Sequence, residues 1–100
     1  MLYIIPGTGS PEIDSGKPTY DFIVNKAKEL EIDSTVLTYP GQEPNIGDGG
    51  DIAKSAESLI EELKKAPAGS ILFCRCVGCT VAGYLLAFHE ECLENFDKIV

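Results

Sequence analysis

The sequence predicts a three-layer α/β/α fold on a parallel sheet whose strands lie in the order 2-1-3-4. Three observations lead there. Short apolar, β-rich runs alternate with longer amphipathic stretches as β-α-β-α-β-α-β, the pattern of a parallel sheet with helices on both faces. Each strand–helix–strand crossover in such a sheet is right-handed. The first and third strands are the most continuously apolar, so they belong in the middle, buried on both faces.

The first strand is Leu2-Tyr3-Ile4-Ile5, halted by Pro6-Gly7. Gly7 to Pro18 then forms a loop of glycines, prolines and small polar residues. A helix runs from about Thr19, its N-cap, to Glu31; Asp21 suits its first turn, and Phe22, Ile23, Ala27 and Leu30 recur at helical spacing. Ser34 to Tyr39 is β-branched and aromatic, a second strand ending at Pro40-Gly41, and Gln42 to Gly50 is again a polar loop. Asp51 opens a second helix whose apolar stripe is Ala53, Ala56, Leu59, Ile60 and Leu63. Lys64 and Lys65 suit its end, and Pro67 with Gly69 stops it. The third strand is Ser70 to about Cys74. A helix from Val77 to about Glu94 carries Val81, Ala82, Leu85 and Phe88, and Asp97-Lys98-Ile99-Val100 opens a fourth strand.

One hundred residues supply one modest core, so residues 1–100 are expected to form a single domain. No apolar stretch reaches the ~18 residues of a membrane span, and the start lacks a basic leader. Sixteen acidic against eight basic side chains give a formal charge of −8, a field that repels phosphates and argues against nucleic acid or anionic membrane as partners. The four cysteines, Cys74, Cys76, Cys79 and Cys92, crowd the last third instead of stapling distant segments, which fits reduced thiols in a cytoplasm.

In the predicted sheet, ligands bind outside the carboxyl ends of the strands, at the switch point between the first and third. Two loops converge there: Pro6-Gly7-Thr8-Gly9-Ser10 and Cys74-Arg75-Cys76-Val77-Gly78. The second passes from strand to helix in one sharp turn, flanked by small residues that let helix and strand approach closely. It resembles the nucleophile elbow of α/β-hydrolases, a small-x-nucleophile-x-Gly motif, with Cys76 as nucleophile and Gly78 as the following glycine. A helix N-terminus favours the anionic form of a nucleophile placed on it.

The resemblance extends along the chain. Pro6-Gly7-Thr8-Gly9 falls where the family carries its oxyanion loop, and Thr38-Tyr39-Pro40-Gly41-Gln42 looks like its Asp-x-Pro-Gly-x-Gly loop. What the resemblance implies is acyl transfer: hydrolysis of a small ester or thioester, with Cys76 as nucleophile and the backbone N–H groups of Thr8 and Val77 as oxyanion hole. Gly7, Ser10, Gln42 and Arg75 would line the substrate site, and no cofactor or metal is expected. The sequence departs from the family at three points. Cys74 stands where the motif begins with Gly, Cys replaces Ser as in dienelactone hydrolase-like members, and the later strands with the acid and histidine are not represented. The similarity thus covers essentially all 100 residues but only the front half of a hydrolase domain, and implies a second chain, or self-association, that completes the sheet.

His89 does not replace the missing base: it lies ~13 residues along the helix from Cys76, about 19 Å at 1.5 Å per residue, against a ~3 Å hydrogen-bond reach. It is expected to be structural or exposed. Cys74-x-Cys76-x-x-Cys79 with His89 and Cys92 suggests a metal site, but strand and helix placement separates these groups, and Cys74, Cys79 and Cys92 read more simply as small apolar core residues. Gly7-Thr8-Gly9-Ser10 lacks the third glycine of a dinucleotide loop and the Lys-Ser/Thr of a Walker loop. Arg75 is the one basic residue at the turn, able to clamp a carboxylate or favour a thiolate. The alternative function, from a different class, is a non-catalytic binding module that keeps the elbow without its chemistry.

Overall fold

The structure, a computed structural model, describes residues 1–7, 20–39 and 52–100. In chain order the elements are β1 (Leu2–Ile5), α1 (Asp21–Glu29), β2 (Ser34–Val36), α2 (Ile52–Glu57), α3 (Ile60–Lys64), β3 (Ser70–Cys74), α4 (Val77–Phe88), a 3₁₀ turn (Glu90–Leu93) and β4 (Phe96–Ile99). The four strands form one all-parallel sheet in the order β2-β1-β3-β4, as the sequence predicts. Among the described residues no helix is long and apolar enough to cross a membrane.

Alternation along the central strands divides the core in two. Tyr3, Ile5 and Leu72 are buried in one cluster with Ala56, Leu59, Leu63, Val81, Ala82 and Leu85 of the α2–α4 segment. Ile4, fully buried between Tyr3 and Ile5, faces the opposite layer, where α1 packs along β2. Right-handed crossovers account for this division: the chain steps outward to β2 over one face and back across to β3 and β4 over the other.

The element ends depart from the sequence reading in ways the local chemistry explains. Thr19, the expected cap, lies outside the described residues; Tyr20 precedes α1 without a side-chain cap. Of the apolar positions on α1, Ala27 is buried, whereas Phe22 and Leu30 are 80% and 61% exposed. The helix flanks a strand of three residues, too short to cover a full stripe. Its end is a Schellman turn: Glu31 sits at φ +60°, with Glu31 N–H donating to Lys28 O and Ile32 N–H to Ala27 O.

The expected second strand stops at Val36, three residues short of Tyr39. Leu37 N–H still donates to Ile4 O, but β1 then runs into Pro6, which has no N–H to extend the ladder. The helix expected from Asp51 is divided at Ser58-Leu59. Ser58 Oγ donates to Ser55 O at 2.6 Å, and Leu59 N–H turns to Ala56 O, a tighter bond than the α-helical one. The last helix ends at Phe88, not Glu94, because Glu90 and Glu91 would put two anions on the negative end of its dipole. Cys92 and Leu93 are buried instead by the 3₁₀ turn against α3. Phe88, expected on the apolar face, is 68% exposed.

Candidate functional site

The carboxyl ends of β1 and β3 meet at the turn into α4. Cys76, between Cys74 of β3 and Val77 of α4, has φ +55° and ψ −123°. An L-residue rarely adopts this backbone, which costs on the order of 1–3 kcal/mol unless its surroundings enforce it. Among the described residues only Glu31 shares a positive φ without being glycine, and Glu31 has a helix cap to explain it. Cys76 has no such cap. Its conformation lifts an exposed thiol out of the strand–helix corner.

Two glycines make that corner accessible to the backbone. A Cβ on Gly78 would collide with the Ile5 carbonyl oxygen and stand 2.7 Å from that of Pro6, so β1 and the first turn of α4 approach here backbone to backbone. A Cβ on Gly7 would stand 3.0 Å from the Cβ of Cys76, so Pro6-Gly7 forms the wall beside the thiol. Arg75 N–H donates to Ile5 O at 3.2 Å, and Gly78 N–H to Arg75 O at 2.9 Å. Val77 N–H, at the start of α4, has no hydrogen-bond partner among the described residues.

Of the predicted site residues, the structure brings together Gly7, Arg75, Cys76 and Val77, with Arg75 exposed on the turn. Thr8, Ser10 and Gln42 lie outside the described residues. His89 stands at the far end of α4, its Nε2 3.8 Å from a Glu57 carboxylate oxygen, where it links α4 to α2. The expectation that Cys74, Cys79 and Cys92 are core residues holds for Cys92 and in part for Cys74, which packs against the core. Cys74 is half-buried and Cys79 exposed, because the turn that raises Cys76 brings its neighbours to the rim of the sheet. Among the described residues no three His, Cys, Asp or Glu side chains are grouped to hold one metal ion.

Sequence reasoning missed two tyrosines. Tyr20, before α1, accepts a hydrogen bond from Gly7 N–H at 3.0 Å, and Tyr39, past β2, donates its hydroxyl proton to Pro6 O. Both rings are buried. Together they hold the carbonyl and the N–H of the Pro6–Gly7 peptide group in the wall beside Cys76, and the Gly7 amide is thereby committed to Tyr20. A buried tyrosine needs a partner for its hydroxyl, but nothing in a sequence says which carbonyl that is.

Tyr39 gives this brace a pH signature. Burial first, then nearby Tyr20 and Cys76, push its phenol up from 10.0 to about 12. The unfolded chain therefore releases this proton at lower pH than the folded one. The stability it contributes is complete below pH 10 and is lost as pH rises toward about 12. Cys74 acts in the same direction, its thiol pushed up from 9.0 to about 12 by burial and then by Cys79. Urea midpoints are expected to decline above pH 9 and more steeply above pH 10, with Tyr39→Phe flattening the upper part of the decline. The same variant loses about 1 kcal/mol at neutral pH with its hydrogen bond to Pro6. An unchanged slope in Tyr39→Phe would remove the phenol from this account.

Comparison of the chain with protein-family models, with curated proteins and with solved structures finds no match.

Proposed function

We propose that this domain is the elbow-bearing part of an α/β-hydrolase-like esterase or thioesterase, with Cys76 as its nucleophile. The backbone of Cys76 carries the reading. A non-glycine residue at φ +55°, on the turn from a central strand into a helix, presents a thiol where an acyl carbon can reach it. A buried structural cysteine has no use for that conformation.

In the proposed reaction the Cys76 thiolate attacks the carbonyl carbon of a small ester or thioester. A carbon–sulfur bond forms, and the negative charge moves to the carbonyl oxygen. The Val77 N–H, without a partner among the described residues, supports an oxyanion site, with the Thr8 N–H proposed as the second donor. Collapse expels the alcohol or thiol and leaves an acyl-cysteine, which water then hydrolyses. The sole histidine of the sequence is a helix length away, so the histidine base of the family pattern is proposed to come from another part of the polypeptide or a second chain. Strands β2 and β4 are the sheet edges, and a further strand alongside β4 fits this arrangement. The clustered thiols support a reducing compartment, the cytoplasm.

The position of His89 also favours a second reading: a binding module that retains the elbow without turnover. Intact-mass analysis after incubation with a p-nitrophenyl ester and with an alkyl thioester separates the two. Acyl transfer predicts one acyl group per chain, mapped to Cys76 and absent from Cys76→Ala. Saturable binding without any covalent adduct would select the module. Acylation scattered over Cys79 and surface lysines would remove the assignment of Cys76.

A further inference from the structure

We propose that Cys74 and Cys79 form an oxidisable dithiol, which a hydroperoxide converts into a disulfide closing a ring of chain around the Cys76 turn. The two Sγ atoms lie 3.0 Å apart, one at the end of β3 and the other in the first turn of α4. Bond formation needs a contraction of about 1 Å, to the ~2.05 Å of a disulfide, which side-chain rotation supplies. Neither partner has to be found by diffusion. Cys79 N–H is bonded to Cys76 O and Cys74 N–H to Val100 O, so the backbone already holds the thiols face to face.

The pair is distinct from the nucleophile. Cys76 packs its Cβ beside Gly7, while Cys74 turns its thiol toward Cys79 and, at 3.5 Å, the Val100 carbonyl oxygen. Cys92, the fourth thiol, is buried among α3, α4 and the 3₁₀ turn and is closed to reagents. Access orders the chemistry, since Cys79 is exposed and Cys74 half-buried. Burial and the neighbouring Cys79 also hold Cys74 in its thiol form, so Cys79 and not Cys74 makes the first attack.

In the first step the Cys79 thiolate attacks one oxygen of the hydroperoxide. A sulfur–oxygen bond forms, the oxygen–oxygen bond breaks, and hydroxide (or an alkoxide) leaves with the electron pair. Cys79 is now a sulfenic acid, oxidised by two electrons, and the peroxide is reduced by two. In the second step the Cys74 sulfur attacks the Cys79 sulfur. Hydroxide leaves and takes the Cys74 proton, so the products are water and the Cys74–Cys79 disulfide. The ring contains Arg75, Cys76, Val77 and Gly78. It ties β3 to α4 covalently across the strained backbone of Cys76, independently of whether Cys76 transfers acyl groups.

Treating the native protein with a modest excess of hydrogen peroxide, alkylating under denaturing conditions and mapping the peptides tests this. The expected product is lighter by two hydrogen atoms, keeps two of its four thiols alkylatable, Cys76 and Cys92, and regains all four after a dithiol reductant. Cys76→Ser is expected to leave the linkage intact, and Cys79→Ser to abolish it. The wild-type map decides the question even if a variant fails to fold. Linkage through Cys76, a covalent dimer, or Cys79 oxidised to sulfinic acid beside an unmodified Cys74 would each overturn the proposal.

Discussion

Gly78→Ala lowers the melting temperature of this chain by roughly 12 °C or more, whereas Gly83→Ala, five residues along the same helix, raises it by about 4 °C. Helix propensity alone predicts a gain at both sites, since Gly in a helix interior is about 1 kcal/mol worse than Ala. At Gly83 nothing lies within 4 Å of the added Cβ, so that gain stands. At Gly78 the Cβ enters the space of the Ile5 and Pro6 carbonyl oxygens. Neither is the tip of a flexible side chain that rotates away. Ile5 O also accepts from Arg75 N–H, and Pro6 O from the Tyr39 hydroxyl, so displacing β1 breaks the bonds that build the corner. Overpacking typically costs 1–3 kcal/mol, and a clash of backbone against backbone belongs at or above about 3 kcal/mol. At about 4–8 °C per kcal/mol for a domain of this size, the fall follows. Differential scanning calorimetry of the two variants reads the contrast directly. Equal shifts of the same sign would mean that β1 and α4 do not approach as closely as the corner requires.

Strand order was legible because it depends on long-range averages: continuous apolar runs go to the centre, and the order 2-1-3-4 satisfies this while keeping sequential strands 1 and 2, and 3 and 4, side by side. Helix ends were less legible because single side chains set them. Ser58 diverts its hydroxyl to Ser55 O, and no periodicity in Ala53 to Leu63 carries that information. On α1, Phe22 and Leu30 repeat at the right spacing, but spacing cannot reveal that β2 is only three residues long and leaves them uncovered. At the site, small residues on both sides of Cys76 announced a tight turn, and the positive φ lies where they placed it. Tyr20 and Tyr39 were illegible because their hydrogen bonds to the wall span 13 and 33 residues of sequence. The Cys74–Cys79 contact was missed for the opposite reason. Assigning one cysteine to a strand and the other to a helix suggested divergence, although a corner this sharp folds the two elements onto each other.

That sharpness ties local strain to the proposed chemistry, and Cys76→Gly separates them. Glycine adopts φ +55°, ψ −123° without a Cβ penalty, so the variant recovers part of the 1–3 kcal/mol that a side chain costs there, about 1 kcal/mol after the greater entropy of the unfolded glycine is deducted. The melting temperature is expected to rise by about 4–8 °C. Cys76→Ala keeps the Cβ and the strain, and because the thiol it removes is exposed its melting temperature stays close to that of the parent. Both variants lose the acyl-cysteine, and any hydrolysis of the test thioester falls by about 10³-fold or more, the scale on which a covalent nucleophile is missed. The glycine variant is then the more stable protein and the inactive one. A position at which the native residue opposes stability, where glycine would serve the fold better, is the mark of a side chain held for what it does. If Cys76→Gly melts no higher than Cys76→Ala, the turn accommodates a side chain without strain, and the backbone argument for Cys76 as nucleophile loses its basis.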